Sequence, residues 1–91
     1  KADSQTLAGA FAGLGTAQFH QGKNQEALMN FLRVIVLYES HSQYVSQSMF
    51  YAMLCFRQDD TPQSRDRYKE MKWKLQQRYP ESNWAKQAKG Y

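Results

Sequence analysis

The side chains that could do chemistry are few: two histidines, one cysteine, an adjacent pair of aspartates and a run of basic residues. His20 and His41 fall on different predicted elements, and neither has a Cys, an Asp or a second His at the spacing of metal ligands. Serines are plentiful, but none sits in a turn resembling a nucleophile elbow. Asp59-Asp60 stands just ahead of a predicted helix start, where carboxylates complement the positive end of the helix dipole. A calcium loop would need several more oxygen ligands at fixed spacing. Gly9, Gly13 and Gly15 lie inside a helical pattern and not after a strand, so they do not form a phosphate loop. Cys55 lies on an apolar helical stripe and reads as a small core residue. A lone cysteine forms no internal disulfide and leaves the redox compartment open. The sequence thus predicts a protein that is not an enzyme and has no cofactor and no metal site.

Arg65, Arg67, Lys69, Lys72, Lys74 and Arg78 lie on one predicted helix. They spread around it and are interrupted by Asp66 and Glu70, which is the pattern of a solvated outer face with local ion pairs. The alternative is contact of Arg65, Arg67 and Lys69 with nucleic acid or an anionic surface. The net charge of +4 steers toward acidic partners without specifying one.

The elements that must position these groups are helices. Ninety-one residues make a single domain, 42% apolar and 14% aromatic. A domain of this size buries about 60–65% of its unfolded surface. No stretch approaches the roughly 18 apolar residues of a membrane span. The chain opens on Lys1 with no initiator Met or visible signal peptide, which reads as a processed protein or an excised piece of a longer one.

The polar segment from Lys1 to Thr6, with Asp3 or Ser4 as cap, leads into a first helix whose apolar stripe is Leu7, Ala8, Phe11, Leu14 and Ala17. Gly22 marks a left-handed stop in the turn from Gln21 to Asn24. Asn24 caps a second helix running to about Tyr38, with Ala27, Leu28, Phe31, Leu32, Val34 and Ile35 at helical spacing. The first two helices read as a hairpin in which small Gly15 and Ala27 face each other and Phe31 fills the space beside them. After a loop, a third helix from about Tyr44 to Arg57 is apolar over most of its circumference and should be central. Thr61 as N-cap and Pro62 in the first turn start a fourth helix to about Tyr79, with Tyr68, Met71, Leu75 and either Trp73 or Tyr79 turned inward. Pro80 stops it. Ser82 caps a short last helix, Asn83 to about Lys89, carrying Trp84, Ala85 and Ala88, and Gly90 marks its end.

Phe11, Leu14-Gly15, Gly22, Glu26-Ala27-Leu28, Phe31 and Val34 stand at the spacing of the tetratricopeptide repeat, which the chain resembles. Gln18 replaces a usual aromatic, and Glu39 stands where the closing Pro would be. A weaker second copy aligns Leu14-Gly15 with Tyr51-Ala52, Gly22 with Asp59, Ala27 with Ser64, Phe31 with Tyr68 and Val34 with Met71. Its offset (14 to 51, or 37 positions) exceeds the usual repeat of about 34. The phrase YPESNWAKQA is similar to linkers in tetratricopeptide proteins of the bacterial cell envelope.

The resemblance implies an all-α domain: one hairpin at about 7–41, a second at about 44–80 and a capping helix at about 82–90, stacked right-handed. It implies a concave groove for a protein or peptide partner, lined by Thr16, Phe19 and His20 from the first hairpin and by Met49, Met53, Phe56 and Arg57 from the second. Some of these would instead be core beneath a neighbouring repeat. Thr16, His20 and Met53 occupy the places of the family's carboxylate clamp and do not reproduce it. About three repeats are usually needed for stability, so self-association completing the stack is the alternative function. The compartment implied is the bacterial periplasm or cell envelope, with the cytoplasm as the other reading.

Overall fold

The computed structural model describes residues 3–91. Lys1 and Ala2, which begin the expected polar lead, lie outside the described residues. Five helices follow in order: α1 (Ser4–His20), α2 (Asn24–Leu37), α3 (Ser42–Asp59), α4 (Pro62–Arg78) and α5 (Asn83–Ala88). They form two helical hairpins, α1/α2 and α3/α4, followed by a short closing helix.

Local chemistry sets each boundary. Asp3, in extended backbone, accepts a hydrogen bond from the Thr6 amide at 2.7 Å, and that bond holds its carboxyl below the usual carboxylate range. At the other end of α1, Gly22 takes a φ of +81°. Lys23 N–H donates to Gln18 O and Gly22 N–H to Phe19 O, at 2.9 and 3.0 Å, the bond pair of a helix end closed by a left-handed glycine.

Asn24 does not cap α2. Lys23 occupies the cap position, and the Asn24 amide donates instead to the Cys55 carbonyl at 2.9 Å, tying the start of α2 to the end of α3. α3 begins two residues earlier and ends two residues later than the apolar pattern indicated, because the flanking Ser42, Gln43, Gln58 and Asp59 are polar but helical. Asp60, at φ +48°, ends it. Thr61 accepts from Ser64 N–H at 3.1 Å ahead of Pro62. Ser82 accepts from Ala85 N–H at 3.1 Å and donates to Tyr79 O at 2.7 Å.

α3 packs against all four other helices, as its broad apolar surface requires. The larger buried cluster joins Ala12, Val34, Val45, Met49, Phe50, Met53, Leu75, Ala85 and Ala88. A smaller one holds Ala27, Phe31, Ala52 and Cys55 between α2 and α3. The close approach of α1 to α2 depends on Gly15: a Cβ there would lie 2.7 Å from Phe31 Cε1. The Phe31 ring enters that notch and stacks on Tyr51 at 5.5 Å and 15°.

Two expected core positions face outward. Leu14 and Ala17 are exposed, because the buried line of α1 runs through Ala8, Ala12 and Gly15. Trp73 is exposed and Tyr79 is the half-buried one. Trp73 stands two residues from buried Leu75, about 200° away around the helix.

Candidate functional site

The seven residues expected in a groove divide into two groups. Met49, Met53 and Phe56 point into the core, with exposures of 1%, 0% and 6%. This corrects the expectation of a Met-lined surface. Met49 and Met53 share their buried cluster with Leu75 of α4 and with Ala85 and Ala88 of α5, so these helices close over that side of α3. Between its exposed ends, α3 leaves accessible a narrow strip of Gln47, Tyr51 and Leu54 that runs on to Gln58, at intervals of four, three and four, with exposed Arg57 beside it. Sequence reasoning missed this strip. The two glutamines framing Tyr51 and Leu54 at helical spacing were the available signal.

Thr16, Phe19, His20 and Arg57 do come together with that strip. Thr16 Oγ1 donates to Ala12 O at 2.8 Å and accepts from Gln47 Nε2 at 3.3 Å, pinning α1 to α3. The Phe19 ring meets Tyr51 edge-on at 5.5 Å, and His20 approaches the same ring at 6.0 Å and 81°. Trp84 of α5 packs against Phe50 at 5.4 Å and Tyr51 at 5.6 Å. The Arg57 guanidinium lies over the Tyr91 ring, 5.2 Å from its centroid. Lys72 Nζ donates to the Tyr91 carbonyl oxygen, which helps hold the chain end in place.

Between these groups lies a shallow depression of about 410 Å³, lined by Phe19, Leu54, Arg57, Gln58 and Tyr91. Its walls are ring faces and edges, an aliphatic side chain, a guanidinium and an amide. Such a surface can stack, donate hydrogen bonds and exclude water. Tyr and Arg are also the residue types that most often anchor protein interfaces.

The residues considered for anion contact do not form one patch. Arg65 Nε donates to Asp60 Oδ1 at 3.0 Å. Arg67 lies two residues on, about 200° around α4, and Lys69 returns to the side of Arg65. Lys74 pairs with Glu70 at 2.9 Å, and that hydrogen bond lowers the Glu70 carboxyl below its usual range. This is the local ion pairing expected of a solvated helix. His41 Nε2 shares a hydrogen bond with Ser4 Oγ at 2.8 Å, linking the starts of α1 and α3, far from His20 in chain position. Cys55 is fully buried, and loss of solvent pushes its thiol up to about 12. Among the described residues no helix is long and apolar enough to cross a membrane. No family model, no curated protein and no solved structure matches this chain.

Proposed function

We propose that this chain is a non-enzymatic protein–protein interaction module of tetratricopeptide type, which holds an extended partner segment in the trough between α1, α3 and Tyr91. The observation that carries this reading is the convergence of Phe19, His20, Tyr51, Leu54, Arg57 and Tyr91 on one accessible face. The hairpin spacing and the Gly15–Phe31 contact support the family assignment. By the same resemblance, the proposed setting is the bacterial cell envelope. A partner's aromatic or proline side chain would fill the depression beside Leu54. Its backbone carbonyls would take hydrogen bonds from Arg57 and Gln58.

Selection of the full chain against a displayed library of short random peptides tests this. The expected outcome is a family of peptides with an aromatic or proline anchor. Leu54→Glu should abolish their binding and leave the helical circular dichroism intact. Failure to select any peptide, or equal binding to the Leu54→Glu variant, contradicts the proposal. Self-association is a second reading, favoured by a separate surface.

A further inference from the structure

The first hairpin leaves an apolar face uncovered. On α2, Met29, Val36 and Leu37 are 63%, 70% and 66% exposed. Leu14 of α1 is half exposed and borders the same surface: Phe11, one turn earlier, carries the Arg33 guanidinium on its ring at 4.8 Å. Beside Leu14, α1 shows only Ala10, Gly13 and Ala17 to solvent, with no charge among them. The four large side chains leave on the order of 400 Å² of apolar surface open, the size of the largest patch on a typical monomer. That is about half of what each partner of a stable dimer buries. The small residues of α1 permit close helix approach and supply part of the rest.

The charges on this face select the occupant. Glu26, Met29, Arg33 and Val36 recur at intervals of three, four and three, so they form one stripe along α2, and Glu26 and Arg33 are both exposed. One acid and one base, two turns apart with Met29 between them, make a self-complementary pattern. Laid antiparallel on a second copy about a two-fold axis midway between Glu26 and Arg33, each Glu26 faces Arg33 of the other copy. The two Met29 side chains then meet near the axis. Arg33 retains donors for this pairing: among the described residues its guanidinium rests on the Phe11 ring and uses one N–H, Nη1 to Asn30 Oδ1 at 3.1 Å. The remainder of the molecule is cationic and repels a second copy, whereas this stripe carries no net charge.

We infer that a second copy of this chain covers the face, in a two-fold dimer with α2 antiparallel to its counterpart and reciprocal Glu26–Arg33 pairs. The surface shares no residue with the trough, so the dimer and the peptide-binding proposal stand or fall separately. Sedimentation equilibrium of the full chain, from micromolar to millimolar concentration, tests it. The expected result is a reversible dimer with a dissociation constant of about 10–100 μM. Glu26→Arg and Arg33→Glu should each weaken it about tenfold through like-charge contact. Combining both reversals should restore the pairing, with unchanged helical circular dichroism in all three variants. Rescue by the double variant distinguishes an interface from a folding defect. A monomer throughout, association indifferent to the single reversals, or a double variant that stays weak would each overturn the inference.

Discussion

The two hairpins solve the same packing problem differently. In the first, a glycine at position 15 admits the ring of Phe31, which is fully buried. In the second, the aligned pair is Ala52 and Tyr68, and Tyr68 is only half-buried. The first hairpin locks α1 to α2 through one ring in one notch and leaves its outer face bare. The second draws its core from Met49 and Met53, with Leu75 and α5 closing over them. Notch packing is local and can be written into a short motif. Burial of the methionines depends on α5, whose six residues form a helix only where Ser82 caps them and the rest of the fold receives Trp84, Ala85 and Ala88.

The most severe way to break this contrast is Met53→Glu. A carboxylate at a fully buried position without a partner should cost at least 3 kcal/mol, a large part of the roughly 5–14 kcal/mol available to a domain of this size. Urea unfolding or loss of helical signal would show it. A variant as stable as the parent would mean that Met53 lies on a surface.

Gly15→Ala and Gly13→Ala sharpen the account of the first hairpin. Both gain helix propensity of up to about 1 kcal/mol. At position 15 the new methyl meets Phe31, which cannot retreat because it is buried and stacked on Tyr51, so the net result should be a loss of about 1–3 kcal/mol. At position 13 nothing lies within 4 Å, and the substitution should stabilise by about 0.5–1 kcal/mol. Equal effects at the two positions, read from urea midpoints, would remove the notch from the account.

Cys55 gives a smaller, pH-dependent signature. The folded protein keeps the thiol protonated up to about 12, whereas the unfolded chain releases the proton near 8.5. The stabilisation from the protonated thiol is therefore complete below about pH 8.5 and declines above it, by at most about 1.4 kcal/mol per pH unit. Between pH 8 and pH 10 the parent should lose more stability than Cys55→Ala does. Parallel pH profiles would place the thiol in contact with water.

Much of the fold was legible because helix ends are local chemistry. Thr61-Pro62, Ser82 and Gly22 each act within a few residues, and each did in the structure what its type allows. Asn24 did not, since its amide found a carbonyl on α3, a partner no local pattern reveals. The site was half legible. Thr16, Phe19, His20 and Arg57 lie on the accessible face, while Met49, Met53 and Phe56 are buried, although position within the repeat points all three outward. Their burial reflects where α4 and α5 settle, which periodicity along α3 alone does not encode: Met, Phe and Cys cover most of its turn, and Tyr51 and Leu54, the middle of its accessible strip, are themselves apolar or aromatic. Leu14 illustrates the converse, an apolar residue at helical spacing that the fold leaves half exposed.

The four methionines allow one measurement of the whole division. Under mild peroxide in native buffer, with sulfoxide located by peptide mass spectrometry, exposed Met29 should oxidise first and half-buried Met71 more slowly. Met49 and Met53 should stay reduced until the protein unfolds. Oxidation of Met49 and Met53 at the rate of Met29 in the folded protein would contradict the account, since it would return them to an open groove and leave α5 without its core.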